Sequence, residues 1–300
     1  MRLKKRLGQH FLIRQEVAES ITALAEIKPS EVVVEIGAGT GILTRALAKR
    51  AKKVITFEVD PDLIPTLREN LLPYSNVEIV PEDFLKKGHN VLNSLEEFKV
   101  VANLPYYITT PIIFFLLGFL PRLKLAVLTV QKEVAERLAA KPGNKTYGAL
   151  TISAGIFAEV KKVKVIKKGA FRPAPRVDSA VVRLKPHTAL PLQPQEINPF
   201  LNLVHSLFTQ RRKTILNGIT RIYKIPKPKA KALLENCGLE PNRRPEDLNQ
   251  EEFIRLTKEV IVCVKNRIFP RNRPKNPILP QSGATDYTSL TFRNGKGNRS

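Results

Sequence analysis

The tetrapeptide Asn-Leu-Pro-Tyr at residues 103–106 has side chains suited to chemistry on an aromatic amine such as adenine N6. Such an amine is a poor nucleophile because its lone pair is delocalised into the ring. The side-chain carbonyl of Asn103 and a backbone carbonyl beside the rigid Pro105 can accept its two hydrogens, while Tyr106 can stack on the ring. A methyl group bound to positively charged sulfur is electrophilic, so an amine held opposite it can accept the methyl group. The arrangement therefore predicts methyl transfer in which positioning supplies most of the rate and no strong general base is needed. Taken alone, such a tetrapeptide is more often an ordinary turn.

A glycine-rich segment, Glu-Ile-Gly-Ala-Gly-Thr-Gly at residues 35–41, ends a predicted strand and opens a predicted helix. Such glycines let the backbone approach a ligand closely, although dinucleotide sites and ordinary tight turns use them too. Gly37, Gly39 and Gly41 alternate too tightly for the dinucleotide fingerprint, so no phosphate is required. Glu58 ends the next strand, where its carboxylate can hold both hydroxyls of a ribose or simply be solvated. The two features together favour a nucleoside ligand.

A third motif, Glu-Asp-Phe at residues 82–84, follows the next predicted strand, and Asp83 there can accept a hydrogen bond from an adenine amine. The tetrapeptide at residues 103–106 follows the strand after that. All four motifs thus end successive strands at one sheet edge, where open α/β folds bind ligands. The sequence predicts one nucleoside site at this edge, with Glu35 and Phe84 among its residues.

The elements that must position these motifs follow a βαβα alternation from residue 31 onward, which predicts a seven-stranded, mostly parallel sheet covered on both faces. Pro65 is tolerable only in the first turn of its helix, so that helix should start near Asp62. The predicted strands span residues 32–36, 54–59, 77–80, 100–102, 125–130, 160–166 and 179–184. The predicted helices between them span residues 42–50, 62–71, the apolar segment after 110, and 132–140.

A Pro-rich polar segment at residues 185–198 marks the predicted domain boundary. We expect a catalytic domain at residues 1–187, in which residues 1–28 form an N-terminal arm and helix. A small helical domain should follow at residues 188–264, and a basic, flexible tail at residues 265–300. One buried stripe of the helical domain is predicted from apolar residues at helical spacing, namely Leu201, Val204, Phe208, Ile215 and Ile219. A second helical unit is predicted at residues 239–256.

The charge balance points to a polyanionic partner. The 300 residues include 50 Lys and Arg against 27 Asp and Glu, which gives a net charge of +23. A net charge of roughly 2 to 8 is enough for the solubility of a small domain. Nucleic acid explains the excess, because cations that meet phosphates release condensed counterions. A membrane surface is less favoured, since no amphipathic helix has a segregated basic face with aromatic anchors.

The cysteines and the apolar runs indicate an intracellular protein. Cys237 and Cys263 form no CxxC pair and have no nearby His, so neither a disulfide framework nor a metal site is expected. The apolar run at residues 112–120 is far shorter than the roughly 20 residues of a membrane-spanning helix and should be a core segment. No apolar run of a signal peptide follows the basic N-terminus. We therefore expect a cytoplasmic protein.

The motifs, in their order and spacing over residues 1–264, resemble the ribosomal RNA adenine dimethyltransferase family, and within it the bacterial small-subunit group. The matching segments are residues 8–12 (Gly-Gln-His-Phe-Leu), 35–41, 57–58, 82–83, 103–106, 131–137 (Gln-Lys-Glu-Val-Ala-Glu-Arg), 171–179 (Phe-Arg-Pro-Ala-Pro-Arg-Val-Asp-Ser) and 208–214 (Phe-Thr-Gln-Arg-Arg-Lys-Thr). The resemblance implies a Rossmann-like class I methyltransferase fold and S-adenosylmethionine as the cofactor.

The resemblance also implies roles for single residues. Leu104 and Pro105 belong to the catalytic tetrapeptide, and Tyr106 and Phe171 would sandwich a flipped adenine. The residues implied to hold the methyl donor are Gln9, His10, Leu12, Glu35, Gly37, Gly39, Gly41, Glu58, Asp83, Phe84 and Asn103. The implied target is two adjacent adenines in a hairpin near the 3′ end of 16S rRNA, within the 30S subunit.

Basic side chains near these motifs suit RNA phosphates. Arg172 and Arg176 flank the proline loop after Phe171, and Arg211, Arg212 and Lys213 form a short run that could also be a solvated helix face. Two features depart from the family pattern. The basic tail is extra, and His10 stands where Asn is also common, which should keep donor binding.

Three alternatives stay open. A large-subunit (23S) rRNA adenine N6-methyltransferase of the macrolide-resistance type is the nearest, although those enzymes more often carry Ile in place of Leu104. A DNA adenine methyltransferase is less favoured because no separate target-recognition region is present. A ribosome-assembly factor with little catalytic role would have no reason to keep Glu58, Asp83 and Asn103 together. We expect a monomer.

Overall fold

The computed structural model describes residues 10–210 and 212–266. Within these ranges the chain forms two compact units, which are described separately below. The first unit comprises residues 10–136 and 158–188, and the second comprises residues 137–157 and the described residues from 189 onward. The predicted domain division at residues 187 and 188 stays a prediction. Gln9, Arg211 and almost all of the predicted tail lie outside the described residues.

The first unit contains the strands. They are β1 (Phe11–Leu12), β2 (Val32–Ile36), β3 (Lys53–Phe57), β4 (Val77–Val80), β5 (Phe98–Asn103), β6 (Leu123–Gln131), β7 (Ala158–Ile166), β8 (Phe171–Arg172) and β9 (Ser179–Pro186). In the described part of the chain, seven of these form one sheet in the order β4-β3-β2-β5-β6-β9-β7. Strands β2 to β6 run parallel, whereas β9 is antiparallel to both β6 and β7. The prediction of a seven-stranded, mostly parallel sheet is confirmed.

The composition of the central strands explains their place in the sheet. Val33, Val34, Val100 and Val101 are fully buried, because parallel strands are covered by helices on both faces and favour continuous β-branched residues. The apolar run that begins at Ile112 is buried as well, as predicted.

Helices connect the parallel strands of the first unit and make up most of the second unit. They are α1 (Gln15–Ala23), α2 (Ile42–Ala48), α3 (Ile64–Leu71), α4 (Phe84–Asn93), α5 (Thr109–Leu117), α6 (Lys132–Leu138), α7 (Ala149–Gly155), α8 (Pro194–Phe208), α9 (Ile215–Tyr223), α10 (Lys227–Asn236) and α11 (Gln250–Lys265). Pro65 lies in the first turn of α3, as expected. Residues 10–210 and 212–266 include no helix that is both long enough and apolar enough to cross a membrane.

The helices differ from the sequence pattern in several places. The helical unit predicted at residues 239–256 is wrong over its first half, because Asn249 caps α11 by accepting a hydrogen bond from the Glu252 N–H and the α-helix begins only at Gln250. Helix α4 was not predicted because Gly88 and two lysines interrupt its apolar period. A Cβ atom at Gly88 would lie 2.9 Å from the Phe84 ring, so the glycine makes room for that ring. The single stripe predicted from Leu201 to Ile219 is divided between α8 and α9, because Thr214 caps α9 by accepting a hydrogen bond from the Asn217 N–H.

The second unit is helical and has its own core. Phe200 of α8 and Phe253 of α11 are fully buried. Arg243 donates to both carboxylate oxygens of Glu252, at 2.6 and 3.0 Å, and so ties the loop before α11 to its first turn. Cys237 is buried and free, as is Cys263.

Candidate active site

A cleft of about 340 Å³ opens at the carboxyl ends of β2, β3, β4 and β5, within the first unit. The sheet fixes its walls, since hydrogen bonds continue beyond the strand ends. The Gly37 N–H donates to the Phe57 carbonyl at 2.8 Å, and the Glu58 N–H donates to the Val80 carbonyl at 3.1 Å. The residues that line the cleft are His10, Phe11, Ile36, Gly37, Gly39, Phe57, Glu58, Val59, Glu82, Asp83, Phe84, Leu85, Asn103, Leu104, Pro105, Tyr106, Tyr107 and Ile108. The structure thus brings the four predicted motifs together.

The chain around His10 crosses the cleft and fixes the Asn103 amide. Asn103 donates its side-chain N–H to the His10 carbonyl oxygen at 3.0 Å, so its own Oδ1 is the acceptor end of the amide. The Nδ1 atom of His10 lies 2.8 Å from the Pro173 carbonyl oxygen. The His10 and Tyr106 rings lie 5.3 Å apart at 32°. These contacts hold His10, Asn103 and Tyr106 as one group.

The backbone of the tetrapeptide is anchored at both ends. Leu104 is buried, and its N–H donates to the Thr129 carbonyl of β6 at 3.1 Å. The Pro105 carbonyl accepts from the Ile108 N–H at 3.2 Å and from the Thr109 hydroxyl at 3.3 Å. Both acceptor sites of the Pro105 carbonyl are therefore used within the chain.

The Tyr106 hydroxyl is tied to the start of β9. It lies 2.7 Å from the hydroxyl of Ser179, which is fully buried. Desolvation by burial raises the pKa of Tyr106, so its hydroxyl stays protonated. The Tyr106 side chain is half-buried and lines the cleft.

Glu58 presents a nearly buried carboxylate to the cleft. Its two oxygens accept the backbone N–H of Gly39 at 2.8 Å and that of Asp60 at 2.9 Å. Burial raises the pKa of Glu58, and these backbone hydrogen bonds oppose the rise by stabilising the charged form. A carboxylate has about four acceptor sites, so Glu58 keeps capacity for a further donor.

Glu35 lies behind the glycine segment and is fully buried. Its Oε2 atom accepts from the Thr44 and Thr56 hydroxyls at 2.6 and 2.7 Å, while its Oε1 atom has no partner among the described residues. Burial raises the pKa of Glu35 to about 7. It borders a cavity of about 20 Å³ that Gly37 and Asn103 also line, large enough for about one water molecule.

The third motif forms the far wall of the cleft. Asp83 caps α4 by accepting the Leu85 N–H at 2.9 Å through Oδ1. Phe84 packs edge-on against Phe57, at a ring separation of 5.1 Å. The Asp83 cap and the Phe84 ring both belong to the start of α4, which positions this wall.

Several predicted residues do not line the main cleft. Leu12 and Phe171 are paired opposite each other in the β1–β8 ladder and are buried in the core, so the stacking role of Phe171 gains no support from its placement. Gly41 packs under α3, where a Cβ atom would lie 3.0 Å from Leu67. The predicted phosphate contacts Arg172, Arg176, Arg212 and Lys213 are exposed.

Other lining residues were not predicted from the sequence. Phe11 lies against Gly39, where a Cβ atom would be 2.9 Å from its ring. Val59 and Tyr107 directly follow predicted site residues, and that adjacency is the signal that could have found them. Ser179 ends a segment that resembled the family, but its bond to Tyr106 depends on the long-range pairing of β9.

Comparison with known proteins identifies the family. The model of the ribosomal RNA adenine dimethylase family matches residues 1–261. The chain is 43% identical over 266 residues to the ribosomal RNA small subunit methyltransferase A of Bacillus cytotoxicus, a match that covers 86% of this chain and 91% of that protein.

Two solved structures share the fold over most of the chain. A dimethyladenosine transferase from Plasmodium falciparum is 32% identical with a TM-score of 0.72, covering 87% of this chain and 99% of that one. The 23S rRNA methyltransferase ErmE is 30% identical with a TM-score of 0.67, covering 84% and 99%. The chain belongs to the ribosomal RNA adenine dimethylase family of S-adenosylmethionine-dependent enzymes, which dimethylate adenine in ribosomal RNA.

Proposed function

We propose that this enzyme dimethylates N6 of two adjacent adenines in a hairpin near the 3′ end of 16S rRNA, within the small (30S) ribosomal subunit, as a monomer in the cytoplasm. Support comes from the curated relatives at 43% identity, which are small-subunit methyltransferases. The observation that carries the proposal is that Asn103, Glu58 and Asp83 line one cleft. A group that can hold an amine therefore lies beside two carboxylates that can hold a nucleoside.

The cleft fits S-adenosylmethionine in size and in its polar groups. A volume of about 340 Å³ lies within the range of small-molecule sites. We assign the remaining acceptor capacity of the Glu58 carboxylate to the ribose hydroxyls and that of Asp83 to the adenine amine. His10, Gly37 and Gly39 line the same cleft and would hold the amino-acid moiety. When bound, S-adenosylmethionine supplies a methyl group activated by its positively charged sulfur.

The tetrapeptide would hold the target amine through two oxygens. Asn103 Oδ1 is one, because the Asn103 amide nitrogen is already bound to the His10 carbonyl. The Leu104 carbonyl is the other, since the Pro105 carbonyl is occupied within the chain. In the first transfer both N–H hydrogens are accepted, and in the second the one that remains, which localises the lone pair on N6 and stabilises the positive charge that develops there. Tyr106 would stack on the adenine ring.

Such a site requires the target base to leave its stack. N6 is blocked within a stacked helix, whereas loop nucleotides unstack at lower cost. We propose that the exposed Arg172 and Arg176 of the first unit contact phosphates near the flipped base. Arg212 and Lys213 of the second unit are proposed as further RNA contacts.

Methylation of large-subunit RNA is the second candidate. The structure of the 23S rRNA methyltransferase ErmE resembles this chain at 30% identity and a TM-score of 0.67. Because the two reactions share the same amine chemistry, the cleft geometry is compatible with either. The choice between them depends on which RNA the enzyme accepts.

The test supplies purified enzyme and radiolabelled S-adenosylmethionine to small ribosomal subunits that lack adenine dimethylation and, in parallel, to large subunits. Mass spectrometry of nuclease fragments then maps the label. We expect dimethyladenosine at two adjacent positions of the small-subunit RNA, strongly reduced with Asn103→Ala and retained with Asn90→Ala, an exposed residue of α4.

Each other outcome has a definite meaning. Label confined to the large-subunit RNA would replace the proposal by the second candidate. Tight binding of small subunits without any labelled adenine would contradict catalysis and favour an assembly role.

A further inference from the structure

Five lysines on β7 and the turn after it form an exposed cationic edge of the first unit. This lysine edge comprises Lys161, Lys162, Lys164, Lys167 and Lys168. Residues 160–177 contain seven cations, counting Arg172 and Arg176, and no carboxylate. All seven are exposed. Among the described strands β7 ends the sheet, so side chains from both of its faces can reach a ligand that passes alongside.

Nearby carboxylates neutralise only part of this charge. The ion pairs are Lys161–Glu159 at 2.6 Å, Lys162–Glu136 at 3.4 Å and Lys167–Asp178 at 3.2 Å. Lys164 donates instead to the neutral Ser20 hydroxyl, at 2.7 Å. Exposed ion pairs of this kind contribute little, so phosphates can compete for these lysines.

The lysine edge begins beside the cleft. Ile166, the last residue of β7, pairs with Ser179, whose hydroxyl lies 2.7 Å from that of Tyr106. Lys167 and Lys168 follow Ile166 directly. Lys161 lies five residues earlier in β7, which at about 3.3 Å per residue places it roughly 16 Å further from the cleft. The lysines thus mark a path that leads from the cleft along the side of the sheet.

We propose that the lysine edge binds the phosphates of the RNA stem that carries the target adenines. The proposal deepens the proposed function and rests on it. A flipped adenine at Tyr106 places its neighbouring nucleotides at the start of this path, and a stem is a regular double row of phosphates. Cations along the path release counterions when they meet those phosphates. Lysines on an edge strand can also serve only to prevent pairing with other strands.

The test compares two triple variants of the full-length enzyme. Lys161→Gln, Lys164→Gln and Lys168→Gln together remove three charges from the lysine edge. The control variant carries Lys52→Gln, Lys53→Gln and Lys124→Gln, which removes three exposed lysines near the amino ends of β3 and β6. Affinity for small subunits lacking dimethylation is measured at several salt concentrations, and S-adenosylmethionine affinity is measured by calorimetry.

We expect the lysine-edge variant to bind subunits at least about tenfold more weakly at 0.1 M salt, with a logarithmic salt slope shallower by about 2 to 3. The control variant should keep the wild-type slope, and both should keep the wild-type affinity for S-adenosylmethionine. Equal salt slopes for all three proteins would overturn the proposal. If the lysine-edge variant also aggregates while its slope is unchanged, the lysines serve to prevent strand pairing and the proposal is overturned as well.

The same proteins separate this inference from the proposed function. Label mapping on the wild-type protein decides whether small-subunit adenines are dimethylated. Binding slopes need no catalysis, so they decide whether the lysine edge contacts RNA even if the methylation result is negative.

Discussion

Glu35 and Glu58 are buried carboxylates of the first unit that differ in how their oxygens are satisfied. Both oxygens of Glu58 accept backbone N–H groups, whereas Oε1 of Glu35 has no partner in the described part of the chain. Burial raises both pKa values, that of Glu35 to about 7. Glu58 is therefore the residue suited to ligand binding, while Glu35 is a source of pH-dependent stability.

Glu35→Gln should remove a pH dependence of stability. Because the pKa of Glu35 is raised from 4.5 to about 7, the folded protein binds this proton more tightly than the unfolded chain does. The stabilisation is complete below about pH 4.5 and is lost as the pH rises through 7. Between pH 5 and pH 8, wild type should lose about 2 to 3 kcal/mol of unfolding free energy relative to the variant. Denaturant titrations at both pH values measure this, and a constant difference would contradict it.

Glu58→Gln should weaken S-adenosylmethionine binding by about ten- to a hundredfold, because a hydrogen bond to a charged group contributes roughly 1.5–3 kcal/mol. Isothermal titration calorimetry of the ligand-free enzyme measures the effect. Glu69→Gln, on an exposed part of α3, is the matched control and should bind as wild type does. An unchanged affinity in Glu58→Gln would exclude this carboxylate from the donor site.

At the scale of elements, the strands and their carboxyl-end motifs were predictable because β-branched runs and glycine turns are local signals. The predicted strand at residues 32–36 matches β2, and the four motifs meet in the cleft. The β1–β8 ladder was not predictable, since it pairs two residues with two others far along the chain. That ladder buries Phe171, and the Tyr106–Ser179 contact likewise depends on the placement of β9.

The glycine turn and the N-terminal strand should depend on each other. Gly39 has φ of +59°, and a Cβ atom there would lie 2.9 Å from the Phe11 ring of β1. Gly39→Ala should therefore displace Phe11 and weaken S-adenosylmethionine binding at least about tenfold. The left-handed backbone should in addition cost the variant roughly 1–2 kcal/mol of folding stability.

Gly143→Ala is the matched control for that change. Gly143 has φ of +78°, but a Cβ atom there meets no atom within 4 Å. The Gly143→Ala variant should lose a similar amount of stability in thermal unfolding and keep its affinity for S-adenosylmethionine. If the two variants bind S-adenosylmethionine equally well, the contact with Phe11 does not shape the site.

At the scale of the whole molecule, a net charge of +23 should make RNA binding strongly dependent on salt. Six to ten phosphate contacts would lower the affinity by about 10³- to 10⁵-fold between 50 and 200 mM salt. We expect at least a loss of about 10²-fold for small subunits, and less than about threefold for S-adenosylmethionine, in filter-binding and calorimetric titrations. A weak salt dependence of subunit binding would show that the excess charge serves another purpose.

The central claim is that Asn103 Oδ1 holds the adenine amine for methyl transfer. The most direct measurement is the single-turnover rate of methyl transfer to small subunits, with both substrates saturating, for wild type and Asn103→Ala. Loss of one preorganised polar contact to a developing charge predicts a rate lower by about 10²- to 10³-fold, with subunit affinity nearly unchanged. A rate within threefold of wild type would contradict the claim.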